Sequence, residues 1–391
     1  SGDSGDSGDS GGRGEATVRW RQPAALPYLG GDEVASLVVA DGAVVVLEQV
    51  GDGFRAKSVG ADGAVRWRVD IETPTALPER CGERACVETR LGPVAIDPAT
   101  GEHEEGPEPS GRSFASSVDQ VLRFENHPDG VGGDRVRAVP RFAEAPRWDR
   151  PVTELFGRDG LTEGFGQVVG DQWVVSLDLD EDRDAPYPRT FEPGVMAGMS
   201  VADGAPRWVR PGLSPCLLPI AEDLLVACNL EASLASEDEG WDTRLTDVTV
   251  LDPKTGTDRL HLATEPYGIG EGDRFALAGP DRLAVRTPAG IQVVDVRFAT
   301  AEPAGPRPVA WCRPDGHLPK VRDREGDLVE LSTVAMGRPC TVDGAKATED
   351  ELLAPVVDGR LPPVPLASVV RVGDWVLWNV DGRVTGVAVE P

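Results

Sequence analysis

The sequence lacks long apolar runs and blocks of positive charge. None of its 391 residues lies in a stretch approaching the roughly 18 apolar residues that a membrane-spanning helix needs. It has 39 Lys and Arg against 66 Asp and Glu, a formal net charge of −27, and no basic cluster that could follow a phosphate backbone. We therefore expect neither nucleic acid nor an anionic membrane surface as a direct partner.

Residues typical of catalytic and metal sites are also scarce. There is no Gly-x-Ser-x-Gly motif, and the four histidines, His103, His127, His261 and His317, lie in no recognisable nucleophile context. No Cys-x-x-Cys pair occurs, which disfavours a zinc site. A triad assembled from distant strands would leave no local motif, so a hydrolase remains an alternative.

The first residues have the composition of a flexible linker. Ser1 to Gly12 consist of Ser, Gly and Asp units without an apolar side chain that could offset the entropy of ordering them. We predict a flexible acidic linker over residues 1–16, a folded domain over residues 17–391, and a membrane anchor upstream of this chain. A naturally disordered start is the alternative.

A short phrase, Val or Pro followed by Arg-Trp, recurs along the chain. Its copies end at Trp20, Trp67, Trp148 and Trp208. Two copies follow an Asp-Gly turn, at Asp62-Gly63 and Asp203-Gly204. A repeat of this size predicts one closed array of similar units, typically a β-propeller.

Tight turns flanked by alternating apolar residues give the number of units. Eight candidates recur at a mean spacing of about 47 residues, which suits a four-stranded blade. They are Asp41-Gly42, Glu83-Arg84, Asp119-Gln120, Gly170-Asp171, Glu222-Asp223, Pro280-Asp281, Gly326-Asp327 and Gly373-Asp374. We predict an all-β fold, a single β-propeller of eight four-stranded blades, with seven blades as the alternative.

The two ends of the chain are predicted to complete one blade together. The last segment, Ser368 to Glu390, supplies three strands, and Thr17 to Gln22 carries the Arg-Trp phrase that closes other blades. Pairing Thr17–Gln22 with Val384–Val389 would remove two exposed strand edges.

The turns resemble those of a known repeat family. Asp97-Pro98-Ala99-Thr100-Gly101 and Asp252-Pro253-Lys254-Thr255-Gly256 are similar to the Leu-Asp-x-x-Thr-Gly turn of pyrroloquinoline-quinone-like propeller repeats, a WD40-like architecture that includes BamB. The resemblance implies that the turn residues are structural and that the Trp packs between blades. Quinone-dependent members carry an adjacent Cys-Cys pair, which is missing here. The resemblance is therefore to the cofactor-free branch, and no cofactor is expected.

Six cysteines form three sequential pairs, each nearly symmetric about a predicted turn. Because residues equidistant from a hairpin turn face each other, we predict three disulfides. They are Cys81–Cys86, Cys216–Cys228 and Cys312–Cys340. Three local bridges favour an extracytoplasmic location.

The most acidic local feature places carboxylates on alternate residues. Asp178, Asp180 and Asp182 could converge on Ca²⁺, which prefers oxygen ligands. A solvated acidic loop is the alternative, and it is favoured because Arg183 replaces the glycine of an EF-hand-like loop. The same alternative applies to Glu237-Asp238-Glu239.

Three tryptophans lie outside the repeated positions. Trp241, Trp311 and Trp378 follow neither the Arg-Trp phrase nor the turn pattern of Trp173 and Trp375. They are candidates for a surface or channel role.

These features favour a non-catalytic, extracytoplasmic binding scaffold of the bacterial cell envelope. It would be a membrane-tethered monomer that recognises a protein or another envelope component. The alternatives are an enzyme, hydrolase or lyase, with its site in the central channel, and a calcium- or carbohydrate-binding sensor.

Overall fold

The structure is a computed structural model. It describes residues 15–23, 37–40, 43–50, 53–74, 78–89, 91–107, 112–117, 119–125, 133–143, 145–157, 165–177, 189–191, 194–215, 224–234, 242–268, 275–279, 281–305, 309–312, 320–322, 328–330, 338–341, 347–364, 369–380 and 383–390.

Antiparallel four-stranded sheets follow one another along the chain after the first strand, β1 (Glu15–Pro23). Blade 1 contains β2 (Leu37–Ala40), β3 (Ala43–Val50), β4 (Gly53–Val59) and β5 (Val65–Ile71). Blade 2 contains β6 (Glu79–Cys81), β7 (Arg84–Thr89), β8 (Gly92–Ile96) and β9 (His103–Glu105). Blade 3 contains β10 (Arg112–Ser116), β11 (Gln120–Glu125), β12 (Arg135–Pro140) and β13 (Trp148–Pro151), which leads into the short helix α1 (Val152–Phe156).

Blade 5 gains an additional strand from a loop of blade 4. Blade 4 contains β14 (Phe165–Val169), β15 (Gln172–Leu177), β17 (Val195–Ser200) and β18 (Pro206–Pro211). Blade 5 contains β19 (Leu213–Pro215), β20 (Leu225–Leu234), β21 (Asp242–Leu251) and β22 (Asp258–Gly268). Strand β16 (Arg189–Phe191), from the loop between the second and third strands of blade 4, pairs with the far end of β20.

Blades 6 and 7 are separated by an inserted hairpin and a helix. Blade 6 contains β23 (Phe275–Gly279), β24 (Arg282–Thr287), β25 (Gly290–Asp295) and β26 (Thr300–Pro303). The hairpin contains β27 (Val309–Cys312), β28 (Lys320–Arg322), β29 (Leu328–Glu330) and β30 (Arg338–Thr341). The helix α2 (Glu349–Val357) precedes β31 (Val369–Val372), β32 (Trp375–Val380) and β33 (Arg383–Glu390). No helix among the described residues is long and apolar enough to cross a membrane.

Blade 7 is completed by the first strand of the chain. Strand β1 pairs antiparallel with β33, with Thr17 opposite Ala388 and Gln22 opposite Val384. The predicted closure by Thr17–Gln22 and Val384–Val389 is therefore confirmed.

The propeller has seven blades, which was the alternative count, so the preferred count of eight is one too many. Seven of the eight predicted turns lie between the first two strands of a blade. The extra turn, Gly326-Asp327, lies between β28 and β29 in the inserted hairpin. A local turn pattern cannot separate a blade hairpin from an inserted one, because both have the same flanking alternation.

The hydrophobic core lies between neighbouring blades. Buried clusters join blade 1 to 2, blade 3 to 4, blade 4 to 5, blades 5, 6 and 7 with α2, and blade 7 to 1. No such apolar cluster joins blades 2 and 3 in the part of the chain that is described. That boundary is held by charged side chains.

Candidate interaction site

Four boundaries between blades are held by the Trp of the repeated phrase. Each indole covers a turn glycine of the next blade and donates a hydrogen bond from Nε1 to a turn carbonyl. The pairs are Trp20 with Gly63 and the oxygen of Ala61 (2.6 Å), Trp67 with Gly101 and Pro98 (2.8 Å), Trp148 with Gly204 and Val201 (3.1 Å), and Trp208 with Gly256 and Pro253 (2.9 Å). The predicted packing between blades is confirmed for these four residues.

The glycines in these turns are required by both space and conformation. All four have φ between +67° and +81°, and a Cβ atom would lie 2.6 to 2.8 Å from the indole. A larger residue would be strained in this backbone region and would displace the ring. We call this arrangement a docked boundary.

Aspartate side chains stabilise turns of this kind by accepting hydrogen bonds from backbone N–H groups. The Asp97 side chain accepts hydrogen bonds from the backbone N–H groups of Ala99 (2.8 Å) and Thr100 (3.0 Å). The N–H groups of Thr100 and Ala99 lower the pKa of Asp97. Asp252 accepts equivalent bonds from Lys254 and Thr255. These aspartates are therefore structural, as the resemblance implied.

The boundary between blades 2 and 3 is held differently, by an arginine among acceptors. Arg141 is 3% exposed and donates to Glu88 at 2.9 Å, to the Ser117 carbonyl at 2.7 and 2.9 Å, and to Glu79. Burial raises the pKa of Glu88, and the Arg141 guanidinium opposes that rise. We call this arrangement the charged boundary. No local sequence pattern marks this arrangement, because Arg141 lies 53 positions from Glu88 and 62 positions from Glu79.

An open cleft lies between the outer strand of blade 1 and blade 2. Its lining residues are Asp70, Ile71, Glu72, Thr89, Leu91, Gly92, Val94, His103, Glu105 and Gly106. Its volume is about 230 Å³. This is smaller than the range of about 300–1,000 Å³ that small-molecule sites usually occupy. The cleft can accept one or two side chains of a larger partner.

A tight turn projects Leu91 at this cleft. The Thr89 hydroxyl donates to the Gly92 carbonyl (2.7 Å) and accepts from the Leu91 N–H (3.2 Å). At Gly92, φ is +133° and a Cβ atom would lie 2.6 Å from the Pro107 carbonyl oxygen. The turn therefore requires glycine there, and Leu91 is left 62% exposed. Leu91 therefore places apolar surface in contact with solvent at the cleft.

Charge at the cleft is almost entirely negative. Asp70 is paired with Arg55 at 2.7 Å. Glu72 and Glu105 are exposed, and neither has an ion pair within the described residues. Among the described lining residues there is no Lys or Arg, and His103 is the one basic side chain. Nothing in the sequence around His103 indicates that it lies near the end of blade 1.

Three of the six cysteines are seen to be disulfide-bonded among the described residues. Cys81 and Cys86 are bonded, with their Cα atoms 5.7 Å apart. They are diagonal rather than directly opposite, because Cys81 faces Arg84 and Cys86 faces Glu79. Cys228 is also disulfide-bonded, and Cys216 lies outside the described residues.

The remaining pairs have the same offset in the strand register. Cys228 lies opposite Ser214, two residues before Cys216, and Cys340 lies opposite Ala310, two residues before Cys312. The pairings Cys216–Cys228 and Cys312–Cys340 stay predictions.

The inserted hairpin reaches the inner edge of blade 6. Trp311 of β27 pairs with Leu277 of β23, the first strand of that blade. First strands line the central channel of a propeller, so the backbone of Trp311 lies on the channel side. Trp378 is instead buried between blades, so the surface or channel role suggested for it is wrong. Trp241 lies outside the described residues.

The predicted calcium ligands cannot be placed. Asp178, Asp180 and Asp182 lie outside the described residues, as do Glu237-Asp238-Glu239, His127 and His317. His261 is near Asp247 (3.3 Å) and Thr249 (3.2 Å) on the surface of blade 5. Within the ranges that the structure covers, no three His, Cys, Asp or Glu side chains form a metal-binding group. The calcium site stays a prediction.

No protein-family model and no curated protein matches the sequence. Among solved structures, the chain is similar to BamB from Moraxella catarrhalis, with 16% identity, coverage of 96% of this chain and 100% of that chain, and a TM-score of 0.38. It is also similar to a chain of the mitotic checkpoint complex, with 8% identity, coverage of 96% and 95%, and a TM-score of 0.41. The propeller architecture is given by the strand pairing described above.

Proposed function

We propose that this protein is a non-catalytic binding scaffold of the bacterial cell envelope, held outside the cytoplasm by a tether and recognising a protein partner. The observation that carries the proposal is the cleft between blades 1 and 2. It joins an exposed leucine on a fixed turn to an acidic rim, which is a lining suited to recognition.

A rigid frame supports this role. The docked tryptophans and the pairing of β1 with β33 fix blades relative to one another, and the Cys81–Cys86 disulfide joins the first two strands of blade 2. A surface that is already ordered loses little conformational entropy when a partner binds.

The proposed location rests on the cysteines and on the first residues. A disulfide persists in oxidising compartments, which supports a site outside the cytoplasm. The Ser, Gly and Asp composition of Ser1 to Gly12 suits a tether, which would raise the local concentration of the domain near an anchored partner.

Site-specific photo-crosslinking in the native envelope tests the proposal. A photo-reactive residue replaces Leu91 in one strain and Phe298 in another, because Phe298 is equally exposed, at 70%, but lies in blade 6. We expect one discrete protein adduct from position 91 and none from position 298. Equal labelling of many proteins from both positions would contradict the proposal, as would turnover of an ester or sugar substrate that one point substitution abolishes.

A further inference from the structure

We infer that the cleft between blades 1 and 2 binds an extended basic segment of a protein, in which Lys or Arg residues flank one apolar side chain. This inference rests on the proposed scaffold function and names the chemistry of the partner.

Aliphatic side chains form part of the cleft lining. Ile71, Leu91 and Val94 contribute its aliphatic lining, and Leu91 is the most exposed of the three. Covering Leu91 would remove apolar surface from water, which favours association. A volume of about 230 Å³ suits one inserted side chain better than a folded ligand.

Each of the two blades contributes a carboxylate to the cleft. Glu72 follows the end of β5 in blade 1, and Glu105 ends β9 in blade 2. Both carboxylates are exposed and form no ion pair within the described part of the chain, unlike Asp70, which pairs with Arg55. A ligand with cationic groups on either side of an apolar residue is therefore complementary to the cleft in charge.

Strand edges favour an extended backbone in the ligand. β5 pairs with β4, and β9 pairs with β8, so each is the outermost strand of its blade among the described elements. Their outer backbone groups can bond an extended segment, as in recognition by strand addition. A small cation, such as a polyamine, would use the carboxylates but not these edges or Leu91.

Fluorescence anisotropy with labelled peptides tests the inference. The first probe is Ser-Lys-Lys-Leu-Lys-Lys-Ser, and the second has Ser in place of the central Leu. We expect the leucine probe to bind the full chain more tightly, and Leu91→Ser to weaken it about tenfold while leaving the serine probe unchanged. Equal binding of the two probes would overturn the inference.

A charge-matched pair of variants controls for the net charge of −27. The double variant Glu72→Gln with Glu105→Gln should weaken the leucine probe about fivefold, since exposed charge pairs contribute modestly. Glu302→Gln with Asp350→Asn removes the same charge from exposed positions outside the cleft and should leave binding unchanged. Equal losses in both double variants would show non-specific attraction and refute a site at the cleft.

The two proposals fail in different ways. If the cleft variants lose no peptide affinity but position 91 still crosslinks to one discrete protein, the scaffold function stands and the basic-segment inference falls. If the probes bind as expected but no adduct forms in the envelope, the scaffold function falls. Equal melting temperatures for all variants ensure that binding losses do not reflect unfolding.

Discussion

The docked boundary between blades 4 and 5 and the charged boundary between blades 2 and 3 join the same kinds of strand with different chemistry. In the first, Trp208 lies on Gly256 and needs one acceptor, the Pro253 carbonyl. In the second, Arg141 is buried and needs Glu88, Glu79 and a backbone carbonyl together. The docked boundary gains from apolar burial, whereas the charged boundary must first offset the desolvation of its ions.

This difference decides what each boundary tolerates. The contact of an indole with a glycine depends on a short local sequence pattern, an Arg-Trp pair in one blade and a turn glycine in the next. This pattern recurs along the chain, and four boundaries have it. A buried ion pair is stable only when every partner is present, since one charge left alone is strongly destabilising. The charged boundary should therefore be the more sensitive to pH and the docked boundary the more sensitive to loss of volume.

Removing the indole should have the largest effect. Trp208→Ala deletes a buried ring between blades 4 and 5, and we expect a loss of about 4 kcal/mol in the free energy of unfolding. Urea denaturation measures it. Phe298→Ala is the control, because that ring is 70% exposed and its loss should change stability by less than about 0.5 kcal/mol. A loss no larger than that of the control would refute a stabilising role for docking.

Removing the arginine should come next. Arg141→Met leaves Glu88 buried without the guanidinium that donates a hydrogen bond to it, and we expect a loss of about 3 kcal/mol in the free energy of unfolding. Adding Glu88→Leu should restore part of it, since an apolar pair needs no compensation. If the double variant is as unstable as the sum of the single variants, the two residues are not coupled.

The stability lost at the two boundaries should depend differently on pH. Burial raises the pKa of Glu88, so the folded state holds this proton more tightly than the unfolded state. The stability that protonation of Glu88 contributes is complete below its unfolded pKa and is lost as pH rises through the raised folded value. The deficit of Arg141→Met should therefore shrink on acidification, whereas that of Trp208→Ala should not follow this dependence. Unfolding of both variants at matched pH values compares them.

An exposed ion pair should give the smallest effect. Arg207 donates two hydrogen bonds of 2.8 Å to Asp171, and this interaction lowers the pKa of Asp171 to about 2. Its contribution is present above pH 3.8 and is lost as pH falls toward about 2. Asp171→Asn should therefore flatten the stability profile only in that acidic window, and thermal melts at pH 2 to 5 test this. A change centred near neutral pH would contradict the assignment.

Features encoded in short phrases could be predicted from the sequence. The Trp docking, the turn aspartates, the Cys81–Cys86 bridge and the pairing of Thr17–Gln22 each depend on a local pattern or on a missing strand. The blade count was too high because Gly326-Asp327 has the local pattern of a blade turn within an inserted hairpin.

Features that depend on distant residues could not be predicted. Arg141 and Glu88 are 53 positions apart, and neither lies in a repeated phrase. The cleft likewise joins the end of β5 to a turn of blade 2, and only the three-dimensional arrangement brings Glu72 and Leu91 to one place.

The pairing of β1 with β33 has a consequence for biosynthesis. The ribosome makes Thr17 long before its partner Ala388, so strand β1 must wait until the strands of all the other blades have been made before it finds its position. Until then both strand edges are open, and an edge in another molecule can take the place of the proper partner. Closure of the ring therefore requires that every blade has been synthesised, because a molecule that lacks β1 or β33 cannot form this pairing.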